Sequence, residues 1–176
     1  MGETIKIMPY NPLWPYEFKE IARQLQAAIG KYALAIDHIG STSVPGLAAK
    51  DVIDIQVTVT SLEVPVQALL EQLGFKRIMH LQDHRPPGRD DLAADELQKH
   101  FYHKNERSVN LHIRVQGKFN QRYPLLCRDY LRAHPLAAQA YGAIKQQLAR
   151  YFPDNSTAYY DIKDPVFDVI MEGAYA

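Results

Sequence analysis

Along residues 53–59, Ile53, Ile55, Val57 and Val59 alternate with Asp54, Gln56 and Thr58. A two-residue period puts these sets on opposite faces of a strand, predicted here over 51–59, with an apolar face that needs a helix layer and a polar face for solvent or a site. The same alternation returns over 109–115. There Leu111, Ile113 and Val115 oppose Asn110, His112 and Arg114, and residues 99–104 with the turn N-E-R-S supply the other arm of a hairpin. Shorter apolar runs predict strands at 33–39 and 75–79, and Ile5, Ile7 and Tyr10 suggest a leading edge strand. Helical spacing appears first in Trp14, Phe18, Ile21, Leu25 and Ile29, with Gly30 as the stop, so 14–30 is predicted to be an amphipathic helix. Residues 62–73 predict a second helix, with Pro65 in its first turn and Gly74 after it. Three more are expected at 123–134, 136–151 and 158–175, the last interrupted or started at Pro165. Residues 80–98, rich in charge, Pro and Gly, read as a long mobile loop. A helix, a mixed sheet and then a run of helices is an α+β order.

Composition narrows this picture modestly. The 176 residues are 47% hydrophobic and 23% charged, ordinary values for a chain with a sizeable core. The expectation is one domain over 1–176, with a sheet core about 33–116 and C-terminal helices about 119–176. Lys plus Arg and Asp plus Glu are both 20, which gives no support for bulk nucleic-acid or membrane-surface binding. Cys127 is the single cysteine, so neither an internal disulfide nor a cysteine-based zinc site can form. No apolar run approaches the roughly 20 residues of a membrane span, and Met1 to Ile7 is short and polar for a signal peptide, so a cytoplasmic protein is expected.

The candidate chemistry is concentrated between Asp37 and Thr60, in D-H-I-G-S-T-S-V-P-G-L-A-A-K-D-V-I-D-I-Q-V-T-V-T. A P-loop is excluded, because five residues separate Gly40 from Gly46 and Leu47 follows where Lys is required. A dinucleotide fingerprint needs a third glycine and a helix start, and Pro45 stands between the two glycines present. The run His-Ile-Gly-Ser lacks the second histidine of the adenylyltransferase His-x-Gly-His signature. The layout is similar to that of polymerase-β-type nucleotidyltransferases, in which a Gly-Ser turn precedes an acidic strand: Gly40-Ser41 is followed, after twelve residues, by Asp54. Glycine lets the backbone approach a triphosphate, hydroxyls and N–H groups bind its oxygens, and strand carboxylates hold Mg²⁺ against it.

The whole chain resembles the GrpB family, a branch of that superfamily. The resemblance rests on N-P-L-W-P (11–15), H-I-G-S-T-S-V-P-G-L-A-A-K (38–50), I-D-I-Q-V (53–57), N-L-H-I-R-V (110–115), R-D-Y-L-R (128–132), Y-G-A-I-K (141–145) and Y-Y-D-I-K (159–163). A similar domain occurs fused behind some bacterial dephospho-CoA kinases. The resemblance implies a nucleotidyltransferase-like short mixed sheet with helices packed on it and a C-terminal helical segment. It implies Gln56 where working transferases carry a second carboxylate, and His112 where they carry a third. On this reading Asp54, Gln56 and His112 form a site for a divalent metal, Mg²⁺ or Mn²⁺. Gly40, Ser41, Thr42, Ser43, Lys50, Arg128 and Lys145 bind phosphate, and Asp54 and Lys50 are catalytic. The implied activity moves a nucleotidyl group from an NTP, ATP by expectation, to an acceptor the sequence does not identify. The alternative is a non-catalytic nucleotide- or CoA-binding module that assists a partner enzyme.

Each residue also has a structural reading. Ser41 could serve the turn alone, His38 could orient it, and Arg128 could pair with Asp129 to fix the helices on the sheet. His80 and His84 have the spacing of a helical zinc pair, but Pro86-Pro87-Gly88 places them in a loop. His100 and His103, three apart on a strand, face opposite sides.

Overall fold

The computed structural model describes residues 4–175. Strands β1 (Ala35–Ile39), β2 (Ile53–Val59), β3 (Lys76–Ile78), β4 (His100–Lys104) and β5 (Val109–Val115) form one sheet in the order β1-β2-β5-β4-β3. Only β2 and β5 run parallel; the other neighbours are antiparallel, so the sheet is mixed. The parallel pair needs a long crossover, and residues 60–108 supply it with α2 (Gln67–Gln72), β3 and β4.

The alternation read from β2 and β5 decides which face is which. Ile53, Ile55, Val57, Val59, Leu111 and Ile113 lie on one face, fully buried under Trp14, Leu25 and Ile29 of α1 (Trp14–Ile29) and Val66 and Leu70 at α2. Trp14 closes the end of this layer. Its ring is buried, its indole N–H donates to Asp51 Oδ1 at 2.7 Å, and Arg107 ties Asp51 to Glu17. Emptying such a core position, as in Leu25→Ala, typically costs about 2–5 kcal/mol.

The polar face is covered as well. Helix α3 (Phe119–Ala133) crosses it against β1 and β5, and α4 (Pro135–Tyr151) and α5 (Ser156–Tyr175) pack on α3. Val44 and Leu47, just after the Gly-Ser turn, join Leu131, Ala138 and Tyr141 in a second apolar cluster that fastens these helices to the sheet edge. Helices therefore lie on both faces, and Gln56, Thr58 and Arg114 are buried between sheet and helices.

Several boundaries move. The leading segment makes a lone bridge between Met8 and Ala49, not a strand. The second helix shortens to Gln67–Gln72, after the Pro65 bend. Helix α3 begins four residues before Tyr123, because Glu96 reaches from the preceding loop to accept the Phe119 N–H at 2.7 Å. At α5 the side chain of Asn155 accepts the Ala158 N–H and caps the start, while Pro165 is carried inside the helix.

Candidate functional site

Strand β1 delivers the chain to Gly40, whose φ of +69° is left-handed. A Cβ here would also stand 2.5 Å from Asp54 Oδ2, so both the turn and the contact with β2 require glycine. Ser41–Ser43 then form one 3₁₀ turn. Two of its hydroxyls point inward. Thr42 Oγ1 donates to Val52 O at 3.1 Å and lies 3.0 Å from His38 Nε2, while Ser43 Oγ donates to Gly40 O at 2.6 Å. With the Thr42 proton on Val52, the His38 contact places a proton on Nε2. His38 stacks on Phe18, and burial together with Arg132 and Arg128 lowers its pKa to about 4, so it stays neutral at pH 7. His38 is thus the orienting group, and Thr42 and Ser43 hold the turn rather than offer hydroxyls to a phosphate. Ser41 differs: its Oγ accepts from Lys145 Nζ at 2.8 Å and faces a cavity.

On the polar face, the parallel register sets Asp54 beside Asn110, Gln56 beside His112 and Thr58 beside Arg114. Asp54 Oδ1 accepts from Asn110 Nδ2 at 2.9 Å, and His103 Nδ1 lies 2.9 Å from Asn110 Oδ1. The next pair is diverted from the expected metal site. Gln56 Oε1 accepts from Arg114 Nη1 at 2.8 Å and its Nε2 donates to Gln121 O at 2.9 Å, so both ends of the amide are engaged. His112 Nδ1 faces Arg114 Nη2 at 3.1 Å and Lys99 Nζ at 3.3 Å, and burial plus these cations holds its pKa well below the usual range. The anion that balances them is Asp83, which binds Lys99, Arg114 and Asn120. Burial alone would raise its pKa, but Arg114 and Lys99 outweigh that and keep it ionised. The expected set of Asp54, Gln56 and His112 does not fit a divalent metal: its amide oxygen meets a guanidinium, its imidazole meets two cations, and Asp54 remains the lone carboxylate. Among the described residues no group of three or more His, Cys, Asp or Glu could hold a metal ion. His84 pairs with Asp168 at 2.8 Å, not with His80.

The C-terminal helices bring cations to Asp54 from the other side. Lys145 of α4 is buried, and its Nζ donates to Ser41 Oγ and, at 2.6 Å, to Ala48 O. Burial and the charge of Lys163 lower its pKa to about 7, against the pull of Asp54. Lys50 Nζ lies 4.5 Å and 4.6 Å from the ring centroids of Tyr159 and Tyr160 and donates to the Tyr160 hydroxyl at 3.1 Å. Lys163, paired with Asp164, lies over Tyr160 and Phe167. A cavity of about 190 Å³ is lined by Ser41, Lys50, Asp54, Lys145, Tyr160 and Lys163. A second, of about 250 Å³, opens on its other side and shares Ser41, Asp54 and Lys163 with it. Burial raises the Asp54 pKa, an effect that Asn110 and the nearby cations reduce.

Arg128 is held in structure. It pairs with Asp129 at 2.7 Å and Asp37 at 3.5 Å and donates to His38 O at 3.1 Å, fixing α3 to β1. The structure thus gathers Ser41, Thr42, Lys50, Asp54 and Lys145 around one cavity, with the Thr42 hydroxyl turned to Val52 O; Gly40 and Arg128 line the second cavity, and Ser43 and Gln56 stand in support. Asn110 and Arg114 share the polar parity of His112, and that parity could have singled them out. Asp83 lies in a segment with no periodicity, and nothing in its surroundings marked it.

A family model described as GrpB protein matches residues 4–173. The chain is 35% identical over 172 residues to UPF0157 protein YqkA of Bacillus subtilis, covering 97% of this chain and 47% of that protein. It is 37% identical over 179 residues to a dephospho-CoA kinase of Mycobacterium tuberculosis, covering 92% of this chain and 44% of the kinase. UPF0157 protein BH1888 of Halalkalibacterium halodurans is 31% identical over 98% of this chain and 84% of its own length. The chain spans about half the length of the first two of these relatives. Among solved structures, the conserved protein GrpB from Enterococcus faecalis superposes with a TM-score of 0.78 at 29% identity, covering 97% of this chain and all of that one.

Proposed function

This chain belongs to the GrpB family, and from that premise we propose that the cavity between the Gly40-Ser41 turn and the C-terminal helices binds the phosphates of a nucleotide, with lysines in place of a protein-held divalent metal. The observation that carries this reading is the convergence of Lys50, Lys145 and Lys163 on one cavity with Ser41. Among the described residues neither Lys50 nor Lys145 has a carboxylate partner; their bonds run to Tyr160, Ser41 and Ala48. Lys145 is buried as well, and a buried cationic donor without a counterion favours an anion strongly, because its surroundings have already excluded water; Lys50 is half-buried and adds its charge at the margin. Gly40, which has no side chain, lets the turn approach the anion, and Ser41 adds a hydroxyl.

Nucleotidyl transfer is the second reading. What favours it is the contact of Asp54 with Gly40, the arrangement in which a strand carboxylate meets a phosphate-binding turn. In this chain Asp54 would accept a proton or orient the acceptor, while Lys50 and Lys163 would neutralise charge developing on the phosphates. The match to dephospho-CoA kinases supports a third partner class, a CoA-like nucleotide bound without turnover.

Calorimetric titration with ATP, in EDTA and then in Mg²⁺ or Mn²⁺, separates these readings. Binding in EDTA that weakens about tenfold or more in Lys145→Met is expected, the loss of a charge-assisted bond. Binding that demands the metal overturns the lysine reading. Release of pyrophosphate from ATP, abolished in Asp54→Asn, would establish transfer.

A further inference from the structure

The second cavity is chemically unlike the first. Its walls are Ile39, Val44, Cys127 and Leu131, with the rings of Tyr123 and Phe167. Cys127 adds to the apolar character: burial, and then the Asp168 charge, push its thiol up to about 12, so it lines the wall as a neutral group. A phosphate oxygen placed against these side chains would lose its hydration with nothing in return. A flat ring would instead meet hydrocarbon and aromatic surface. The chamber also has a polar margin in His84, His112, Arg114, Arg128 and Asp164. Arg114, Arg128 and His84 are already held by Asp83, Asp129 and Asp168, so the margin offers hydrogen bonds to the edge of a heterocycle rather than an uncompensated charge to a phosphate. An aliphatic chain has no use for such a margin. At about 250 Å³ the chamber suits one ring system and not an extended tail.

Its position supplies the rest. Ser41, Asp54 and Lys163 line both cavities, so a phosphate seated among the lysines lies at the mouth of the apolar chamber. From this continuity we infer that the chamber between α3, α5 and the Gly-Ser turn is a nucleobase subsite, taking the planar heterocycle of the ligand whose phosphates occupy the lysine cavity. The inference rests on the phosphate reading above and adds the organic half of the ligand. The base lies between Tyr123 and Phe167, and the ribose passes Ser41 and Asp54.

The test compares ligands that carry one half or both: inorganic tripolyphosphate, adenosine, and ATP, GTP, CTP and UTP, titrated by calorimetry. Two variants accompany the wild type. Cys127→Phe fills the chamber and Phe167→Ala removes an aromatic wall; circular dichroism and thermal melting report their folding. The wild type should bind at least one NTP about tenfold more tightly than tripolyphosphate. Either folded variant should erase that difference while leaving tripolyphosphate affinity within about twofold, and the order among the four NTPs identifies the base. Equal wild-type affinity for tripolyphosphate and every NTP overturns the subsite and leaves the phosphate reading standing. So does an NTP advantage that survives in both folded variants. Adenosine binding that Cys127→Phe abolishes, in a protein indifferent to tripolyphosphate, supports the chamber and overturns the phosphate site. Failure of all the ligands to bind overturns both.

Discussion

At the scale of single residues, Gly40 and Lys145 answer to different forces. Gly40 has a left-handed φ and no room for a Cβ beside Asp54 Oδ2. Gly40→Ala is therefore expected to lower stability by about 1–3 kcal/mol and to push Asp54 off its present place, read by urea denaturation and by weaker nucleotide binding. The sequence already marked this glycine, by its place in a turn before an acidic strand. Helical spacing puts Lys145 beside Tyr141 on one helix face and says nothing of what covers it; its phosphate role came from the family resemblance alone. In the fold it is buried, with a pKa lowered to about 7 by burial and by Lys163. The groups around it are Lys50 from the loop, Asp54 from β2, Tyr141 on its own helix, and Tyr159, Tyr160 and Lys163 from α5. An anion in the cavity favours the charged amine, so it raises that pKa. Below pH 7 the amine is already charged; above it, binding must take up a proton. Tripolyphosphate affinity should thus fall as pH rises through about 7, more steeply than the ligand's own titration requires, and Lys145→Met should remove the excess slope. Identical pH profiles for the two proteins would show that Lys145 does not titrate with binding.

At the scale of elements, the segment between β3 and β4 departs furthest from its sequence. Residues 80–98 read as a mobile loop, yet Asp83 reaches under α3 to bind Lys99, Arg114 and Asn120, and Glu96 caps the start of α3. These bonds join residues 16 to 37 apart, beyond any local pattern. The Asp83 cluster is a buried ion network, and removing its anion leaves Arg114 and Lys99 uncompensated beneath the helix. Asp83→Ala should cost about 3–5 kcal/mol in chemical denaturation, whereas Lys76→Ala, on the exposed edge strand, should change little. The regular elements were far more legible. α1, β2, β5 and α4 each carry a period long enough to override their neighbours, and they stand within a residue or two of the expected bounds. α2 and α3 were misjudged at their starts: α2 begins only after the Pro65 bend, and the start of α3 is set by Glu96 from a distant loop.

At the scale of the whole molecule, the decisive feature is that the sheet is covered twice. A polar strand face reads equally well as solvated or as part of a site, and the α+β order could not choose between them. Here the C-terminal helices close over it, and the space left beneath them becomes two cavities that share Ser41, Asp54 and Lys163 in their walls. No helix among the described residues is long and apolar enough to cross a membrane. By itself the sequence determined the periodic elements, the glycine turn facing Asp54, and the family, because each is written in local spacing or in ordered motifs. The tertiary structure alone decided the character of the site. Whether Gln56 and His112 could serve a metal depended on Arg114, Lys99 and Asp83, and the charge around Asp54 depended on lysines from helices some hundred residues downstream. Charge and hydrogen bonding act through space at a few ångströms, and only the folded chain sets those distances.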